Sequence, residues 1–432
     1  MSSPATETSR IGWRDLARAG LGLVLMVTCG ALMVDSWRSG FSRFLSMLAI
    51  IQSNVGPSNR AVVVTPKDPE AHYTRGLSLL NADRLPEALG ELREATRLRP
   101  YHYYEWLDLG LTLDRLGNSV EAESAMRKSI SLAPSFAQPH WQLGNLLFRL
   151  DRYPEAFEEL RTGARSNPNL TDGFMRLAWA ASNGDADTLL SLMRPVTKRN
   201  HIDIARFLAT QGRGKESLQQ VIAAGEPDTE EEKSLLKQTV ALLLGNRDFV
   251  SAFEVWKATH AASAARSAGR KVINGDFIDP VLRDDPGFGW QLQEMPNVSV
   301  SIDATSASGN GRSICVEFAG DIPTDNRLID QIVLVEPGRR YSLDFVSKTD
   351  NLVTGGSPSM AVFSLAGDAP KLLALSPAIS SGTNGWTRNH LEFYTEGSTG
   401  AVLIALQRRR CGQAPCPVFG KVWLSDVELK LN

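Results

Sequence analysis

Residues 103–134, YYEWLDLGLTLDRLGNSVEAESAMRKSISLAP, decide the fold of this chain. Their pattern recurs on both sides at an interval of 34 residues. A fixed period of this length indicates an array of helical hairpins, each burying its apolar face against its neighbours. We therefore expect an α-solenoid with a grooved surface. The interval is kept by three sets of residues: Pro66, Pro100, Pro134 and Pro168; Gly76, Gly110 and Gly144; Ala88, Ala122 and Ala156.

Each set has a physical reason to recur. The glycines and alanines are expected where the two helices of a hairpin come closest, because a larger side chain would hold the helices apart. The prolines close each unit, since proline cannot continue a helix and forces the preceding residue to be extended.

This pattern resembles the tetratricopeptide repeat, with clear repeats predicted at 69–102, 103–136 and 137–170. In the middle unit the matching positions are Trp106, Leu109, Gly110, Leu113, Ala122 and Pro134. Residues 54–66 match the second helix of a degenerate leading unit. After Pro168 apolar spacing predicts two further helix pairs, 200–211 with 214–224 and 230–244 with 247–260. We predict one solenoid over residues 54–265.

The resemblance implies a protein-binding scaffold whose first helices line a concave groove. The groove-facing positions of the family correspond here to aromatic residues beside asparagine and arginine. Arginine and aromatic side chains dominate interface energies. We therefore predict that protein partners bind at Tyr73, Asn81, Tyr104, Arg115, Trp141, Asn145, Phe148 and Arg149.

The N-terminal region contains an uncharged run from Ala19 to Val34. We predict a cytoplasmic N-terminus over residues 1–18, a transmembrane signal-anchor over 19–37 and a juxtamembrane segment over 38–53. The alternatives are a signal peptide cleaved near Cys29-Gly30-Ala31 and a buried soluble helix. Residues 41–51 are apolar but too short to span. Two locations are open for them: along the membrane interface, or packed under the first repeat.

Three arginines, at positions 10, 14 and 18, precede the apolar run, and two arginines follow soon after it. Because the cytoplasmic flank of a membrane span carries more positive charge, this difference favours a cytoplasmic N-terminus. The repeats and everything after them are then expected outside the cytoplasm, on the periplasmic side of the inner membrane of a bacterium.

Composition changes near residue 265, and short β-branched and aromatic runs follow between turn residues. This pattern predicts an antiparallel β-sandwich over residues 271–432. Asn274-Gly-Asp-Phe277, Gly289-Trp290, Gly385-Trp386 and the closing Leu424-Ser-Asp-Val-Glu-Leu429 resemble the jelly-roll carbohydrate-binding modules of the galactose-binding-like type.

That second resemblance implies core positions for Trp290, Trp386 and Trp423, and a glycan as an alternative ligand of the sandwich. It also implies a structural calcium as a cofactor. Its candidate oxygen ligands are Asn274, Asp276 and Asp426. Ile278 stands where the family usually has an acidic residue.

Cys411 and Cys416 are close enough in sequence to close a loop, and we predict a disulfide between them, as suits an oxidising compartment. We predict that the protein is not an enzyme, because the six histidines have no metal-site spacing. The net charge of −2, with 46 basic against 48 acidic residues, gives no reason to expect nucleic acid as a partner.

Together these features predict a multidomain protein, a transmembrane helix followed by a tetratricopeptide α-solenoid and a β-sandwich. The expected function is a membrane-anchored extracytoplasmic scaffold for protein–protein interaction in a cell-envelope assembly. The alternative is a glycan-binding protein in surface polysaccharide biosynthesis or export.

Overall fold

The computed structural model describes residues 13–283, 285–305, 312–411 and 416–432. It divides into two compact units, Met1–Met193 and Arg194–Asn432. In the described residues fifteen α-helices precede ten β-strands. The predicted order, helices first and a sandwich after them, is confirmed.

The first unit is helical. The helices of this unit are α1 (Trp13–Gln52), α2 (Val55–Val64), α3 (Pro69–Asn81), α4 (Leu85–Leu98), α5 (Tyr103–Arg115), α6 (Ser119–Leu132), α7 (Ala137–Arg149), α8 (Tyr153–Ser166), α9 (Thr171–Ala181) and α10 (Ala186–Met193). Helices α3 and α4, α5 and α6, and α7 and α8 form the three hairpins predicted from the repeat, and a 3-10 turn over Pro168–Leu170 follows them.

The repeated glycines lie where the hairpin helices touch. A Cβ atom on Gly144 would lie 2.6 Å from Cγ of Leu160, and one on Gly110 would lie 2.8 Å from Cγ of Met126. The repeated alanines are fully buried on the second helices. The expected close approach of the two helices is therefore confirmed, and it explains why these positions hold the smallest side chains.

Helix α1 runs without a break through 40 residues. Its C-terminal part packs on α2 and α3, where Leu45 meets Ala61 and Ala71, while Ser42 Oγ bonds to the carbonyl of Ala61. Part of residues 41–51 thus packs under the first repeat, while Phe44, Met47, Ile50 and Ile51 are exposed. Within α1, Gly20–Gln52 is long and apolar enough to cross a membrane, and its apolar run from Gly20 to Val34 is exposed. The same properties would suit a signal sequence.

The second unit begins with helices at the positions predicted by apolar spacing. A capping box joins Thr229 and Glu232 at the start of α13, and the carboxylates of residues 230–232 lie in its first turn, where they complement the helix dipole. The helices are α11 (Lys198–Thr210), α12 (Gly214–Ala224), α13 (Glu230–Gly245), α14 (Phe249–Thr259) and α15 (Ala261–Arg266).

The remainder of the second unit is a sandwich of two five-stranded antiparallel sheets, with strand orders β1-β4-β9-β6-β7 and β2-β3-β10-β5-β8. The strands are β1 (Gln291–Leu292), β2 (Val298–Asp303), β3 (Ser313–Asp321), β4 (Arg327–Leu334), β5 (Arg340–Thr354), β6 (Pro358–Ser364), β7 (Lys371–Leu375), β8 (Gly382–Tyr394), β9 (Ala401–Arg408) and β10 (Pro417–Leu431).

Helices and sandwich share a buried core in this unit. Trp256 of α14 packs with Phe288, and its Nε1 donates to Oδ1 of Asp285 over 2.7 Å. The side chain of Gln331 on β4 bonds to both backbone groups of Ile273. A buried indole N–H needs a hydrogen-bond partner, so the bond from Trp256 to Asp285 fixes the segment that leads from α15 into β1.

Candidate protein-binding face of the repeats

The predicted partner-binding residues all lie on α3, α5 and α7, the first helices of the three hairpins. We call the surface of these helices the first-helix face. Asn81, Arg115 and Arg149 are exposed at the ends of their helices, and the other five are partly buried.

The N-terminal part of the face is an aromatic pair that holds a carboxylate. The Tyr73 hydroxyl donates to Oδ2 of Asp108 over 2.6 Å, and the Tyr73 ring lies 5.1 Å from that of Tyr104. Burial raises the pKa of Asp108 above its ordinary value, and the hydrogen bond from Tyr73 opposes this shift. The two tyrosines are thereby fixed in position by contacts between neighbouring repeats.

A buried acid lies beside Tyr104. Glu105 is fully buried, and Nε of Arg99 donates to its Oε1 over 2.7 Å. Arg99 also reaches Oε2 of Glu70 at 2.9 Å and lies over the Tyr104 ring. Burial raises the pKa of Glu105 to about 7, despite the opposing effect of Arg99. Oε2 of Glu105 has no hydrogen-bond partner.

Each of the two groove arginines forms an ion pair with an acid of the preceding repeat. A terminal nitrogen of Arg115 lies 3.0 Å from Oδ1 of Asp83 in the turn after α3, and Arg149 pairs with Asp114 on α5. The arginine side chains remain about half exposed, at 49% and 54%. Each guanidinium carries five N–H donors, so one carboxylate leaves donors for another acceptor.

The remaining predicted residues make contacts inside the fold. The side chain of Asn145 donates to the carbonyl of Trp141 over 2.8 Å. The Phe148 ring lies 5.2 Å from Tyr153 and 6.0 Å from Phe157, both on α8. These contacts turn Phe148 toward the second helix of its own hairpin. Trp141 packs close to Gly173 of α9.

Sequence reasoning missed the acids that organise this face. Asp83, Asp108 and Asp114 each pair with a residue of another repeat, and none belongs to the 34-residue pattern. These partners meet only because one hairpin stacks on the next, so no periodic signal in the sequence indicates the pairs.

The three calcium candidates do not form an oxygen cage. Oδ1 of Asn274 accepts from the backbone N–H of Asp279, and its Nδ2 donates to the Asp279 carbonyl. Asp276 pairs with Arg270 at 3.0 Å and lines the same cleft as Asp426. The amide of Asn274 is thus already engaged, and these residues do not fit the ion. Within the described part of the chain, no cluster of three His, Cys, Asp or Glu suits a metal.

The sandwich joins Cys411 to Cys416 by a disulfide, with Cα atoms 6.2 Å apart. Arg408 is fully buried beneath it and donates to the carbonyls of Ile322 and Cys416. The sulfur atoms lie close to Gly355 and Gly356, and at Gly356 a Cβ atom would lie 2.9 Å from Sγ of Cys411 and would not fit.

The three tryptophans expected in the sandwich core differ from one another. Trp290 is in the core, where it packs on Phe277 at 5.3 Å. Trp386 is only partly buried on β8, so its expected core position is wrong. Trp423 is buried outside the core cluster, with its Nε1 bonded to Asp303 and Lys348 over its ring.

Trp423 lies on the outer side of its sheet because β10 contains a bulge. Register with β5 shifts between Ser425 and Glu428, and Asp426 has a φ of 53°. Leu424 points into the core before the bulge, and Val427 points into it after the bulge. A clean alternation would have placed Trp423 and Val427 on one face.

Comparison with known proteins identifies the repeats. Residues 59–103 and 107–170 match the family model of the tetratricopeptide repeat, which confirms the predicted repeats. The Hsp70-Hsp90 organizing protein of Triticum aestivum is 26% identical over 114 residues, which make up 26% of this chain. The chain spans about a fifth of the length of the curated relatives it matches.

Two solved structures are similar to parts of the chain. One, described as "YrrB: a TPR protein with an unusual peptide-binding site", is 17% identical, with a TM-score of 0.32; the match covers 42% of this chain and 89% of that one. The other, described as "CBM4 structure and function", is 14% identical, with a TM-score of 0.29, and covers 37% and 99%.

Proposed function

We propose that this protein is a membrane-anchored scaffold that holds a partner protein on the first-helix face of its repeats, outside the cytoplasm and without catalysis of its own. Tetratricopeptide repeats as a class bind protein segments in the groove between stacked hairpins. The alternative function, glycan binding by the sandwich, has less support because Trp290 and Trp423 are buried and offer no ring face for stacking on a sugar.

The observation that carries the proposal is the recurrence of an exposed arginine at one position of successive repeats. Arg115 and Arg149 end their helices 34 residues apart, and each forms an ion pair with an acid of the preceding repeat, Asp83 or Asp114. Two oriented guanidinium groups match a partner segment that carries carboxylates at a similar spacing. The partly buried rings of Tyr104 and Trp141 supply apolar contact area on the same face.

The anchoring part of the proposal rests on α1. Its exposed apolar part and its packed part belong to one helix, so an inserted span would hold the first hairpin directly at the membrane.

The decisive experiment combines Arg115→Ala with Arg149→Ala. Capture of partners from a detergent extract of the membrane should weaken by about 2 kcal/mol or more, roughly thirty-fold, if these arginines contact the partner. The free energy of unfolding should fall by less than about 1 kcal/mol, because both arginine side chains are about half exposed. Mass spectrometry of captured proteins and circular dichroism melts provide the two measurements.

The matched control combines Arg93→Ala with Arg127→Ala. These arginines also stand 34 residues apart and pair with acids of the next repeat, Glu121 and Glu155, but they lie on the second helices. Capture should be unchanged in the control. Equal loss in both variants would contradict recognition by the first-helix face, and undiminished capture in both would move the binding site elsewhere.

A further inference from the structure

Helix α1 carries an uncharged stripe that follows a heptad. Between Trp37 and Ile51, the positions at alternating intervals of three and four residues are Trp37, Gly40, Phe44, Met47 and Ile51. Trp37, Phe44, Met47 and Ile51 are each more than half exposed. The same register continues backward through Met33, Gly30, Met26 and Leu23 in the apolar run. We call these nine positions the α1 seam.

The seam lies opposite the face that α1 uses for its own fold. Ser42, Leu45, Ser46 and Ala49 are buried against the first hairpin. If the seam residues are the a and d positions of a heptad, these buried residues fall at positions b, c and f, which point away from the seam. The charged Asp35 and Arg38 also fall on that far side, and Arg38 donates to the carbonyl of Val64. The first hairpin therefore leaves the seam open.

Lipid alone does not cover the outer half of the seam. The apolar run ends at Val34, and Ile51 lies 17 residues further on, about 25 Å along a helix. The hydrocarbon core is about 30 Å thick, so a span that begins near Gly20 fills most of it before Trp37. Exposed rings at Trp37, Phe41 and Phe44 would then face water, an arrangement that marks an interaction site.

We propose that the α1 seam pairs with the same seam of a second copy of this chain, as a parallel two-stranded coiled coil that runs from the membrane into the first repeat. This inference rests on the proposed anchoring. Two copies inserted in one membrane have the same direction and depth. Identical residues of their seams therefore meet at the same height.

The side chains of the seam suit self-pairing because large and small layers alternate. Gly40 lies between Trp37 and Phe44, and its Cβ position has no atom within 4 Å. In a parallel pair the two Gly40 residues face each other, and the space between them accepts the neighbouring rings. Trp37 already stacks on Phe41 at 5.5 Å, which narrows its range of orientations. A strict heptad drifts by about 20° per repeat around a straight helix, so the pair would supercoil to the left.

Cysteine cross-linking of the full chain in its membrane tests the pairing. In a Cys29→Ser background, Phe44→Cys and Met47→Cys place a thiol on the seam, and Gln52→Cys places an exposed thiol off it. Mild oxidation should give a product of twice the chain mass at least five times more readily from the two seam positions. Maleimide labelling after denaturation under reducing conditions should show the same amount of free thiol in all three variants.

A second pair of variants separates specific pairing from chance encounter. Phe44→Glu combined with Met47→Cys should lose cross-linking at least five-fold, and Phe44→Leu combined with Met47→Cys should retain it. Equal yields on and off the seam, or a product containing a different protein, would overturn the inference. Carbonate washing separates the two proposals: a chain that stays in the pellet but does not cross-link refutes only the pairing, and one released from the pellet refutes both.

Discussion

The indole of Trp106 donates a hydrogen bond of 2.9 Å to the carbonyl of Pro100, the proline that closes the preceding repeat. The neighbouring repeats make the same connection with histidine, since Nε2 of His72 lies 3.0 Å from the Pro66 carbonyl and Nε2 of His140 lies 2.9 Å from that of Pro134. A ring N–H at one position thus ties each first helix to the turn before it. Each of these proline carbonyls lies just beyond the C-terminus of a helix, where no N–H of that helix remains to pair with it.

We predict that Trp106→Phe destabilises the repeats more than Trp106→His does. Both substitutions remove part of the indole surface, but only histidine retains a ring N–H for the Pro100 carbonyl, as in the two neighbouring repeats. The difference in free energy of unfolding should be about 1 kcal/mol. Urea unfolding followed by far-ultraviolet circular dichroism measures it, and equal destabilisation would show that the hydrogen bond contributes little.

The buried carboxyl of Glu105 should make stability depend on pH. Its folded-state pKa of about 7 lies above the ordinary value of 4.5, so the folded state binds this proton more tightly than the unfolded state does. The stabilising contribution is full below pH 4.5 and is lost as the pH rises to 7. We predict that Glu105→Gln flattens this part of the profile, by up to about 3 kcal/mol between the two ends.

Thermal melts at intervals from pH 4.5 to 8 on both proteins check this prediction. Arg84→Gln, which breaks an exposed pair with Glu87, serves as the control and should leave the slope unchanged. Parallel profiles for the wild type and Glu105→Gln would mean that Arg99 keeps the carboxylate ionised throughout.

The full chain should stay in the membrane pellet after carbonate washing. A chain that begins at Ser36 lacks the apolar run but keeps Ser42, Leu45 and Ala49, which pack under the first repeat. We expect it to be released while it retains the circular dichroism melt of the repeats. Recovery from cells of a mature protein that begins near residue 32 would instead support a cleaved signal.

The disulfide should stabilise the sandwich only modestly. A small closed loop restricts the unfolded chain less than a long one does, so Cys411→Ser with Cys416→Ser should lower the free energy of unfolding by about 2 to 3 kcal/mol at most. The sandwich should survive reduction. Mass spectrometry of protein from its native compartment should find the two thiols joined, and free thiols there would count against export.

The sequence was most informative where one physical constraint recurs. Gly76, Gly110 and Gly144 are each confined by contact with the second helix of the hairpin, so the 34-residue interval predicts the hairpins and the faces that they bury. Some contacts between hairpins carry no such signal. Tyr73 and Asp108, for example, are 35 residues apart and meet only because two units stack.

Two other features depended on local geometry that a pattern does not contain. The bulge at Asp426 reverses the alternation of β10, and residues 423–431 read as evenly alternating in sequence. The predicted transmembrane segment ends at residue 37, where charged residues follow the apolar run. No proline interrupts α1, and Arg38 finds a carbonyl acceptor on α2, so the helix continues.

The unbroken course of α1 leaves no joint between the apolar run and the first hairpin. A scaffold on a loose tether would sample every direction, but a chain inserted through α1 would aim its repeats at an angle set by the tilt of a single rod. Each added or deleted residue between Val34 and Ser42 would rotate the repeats by about 100° around that rod and shift them by about 1.5 Å. The length of this one helix would therefore set the orientation of the repeats relative to the membrane, independently of the residues that touch a partner.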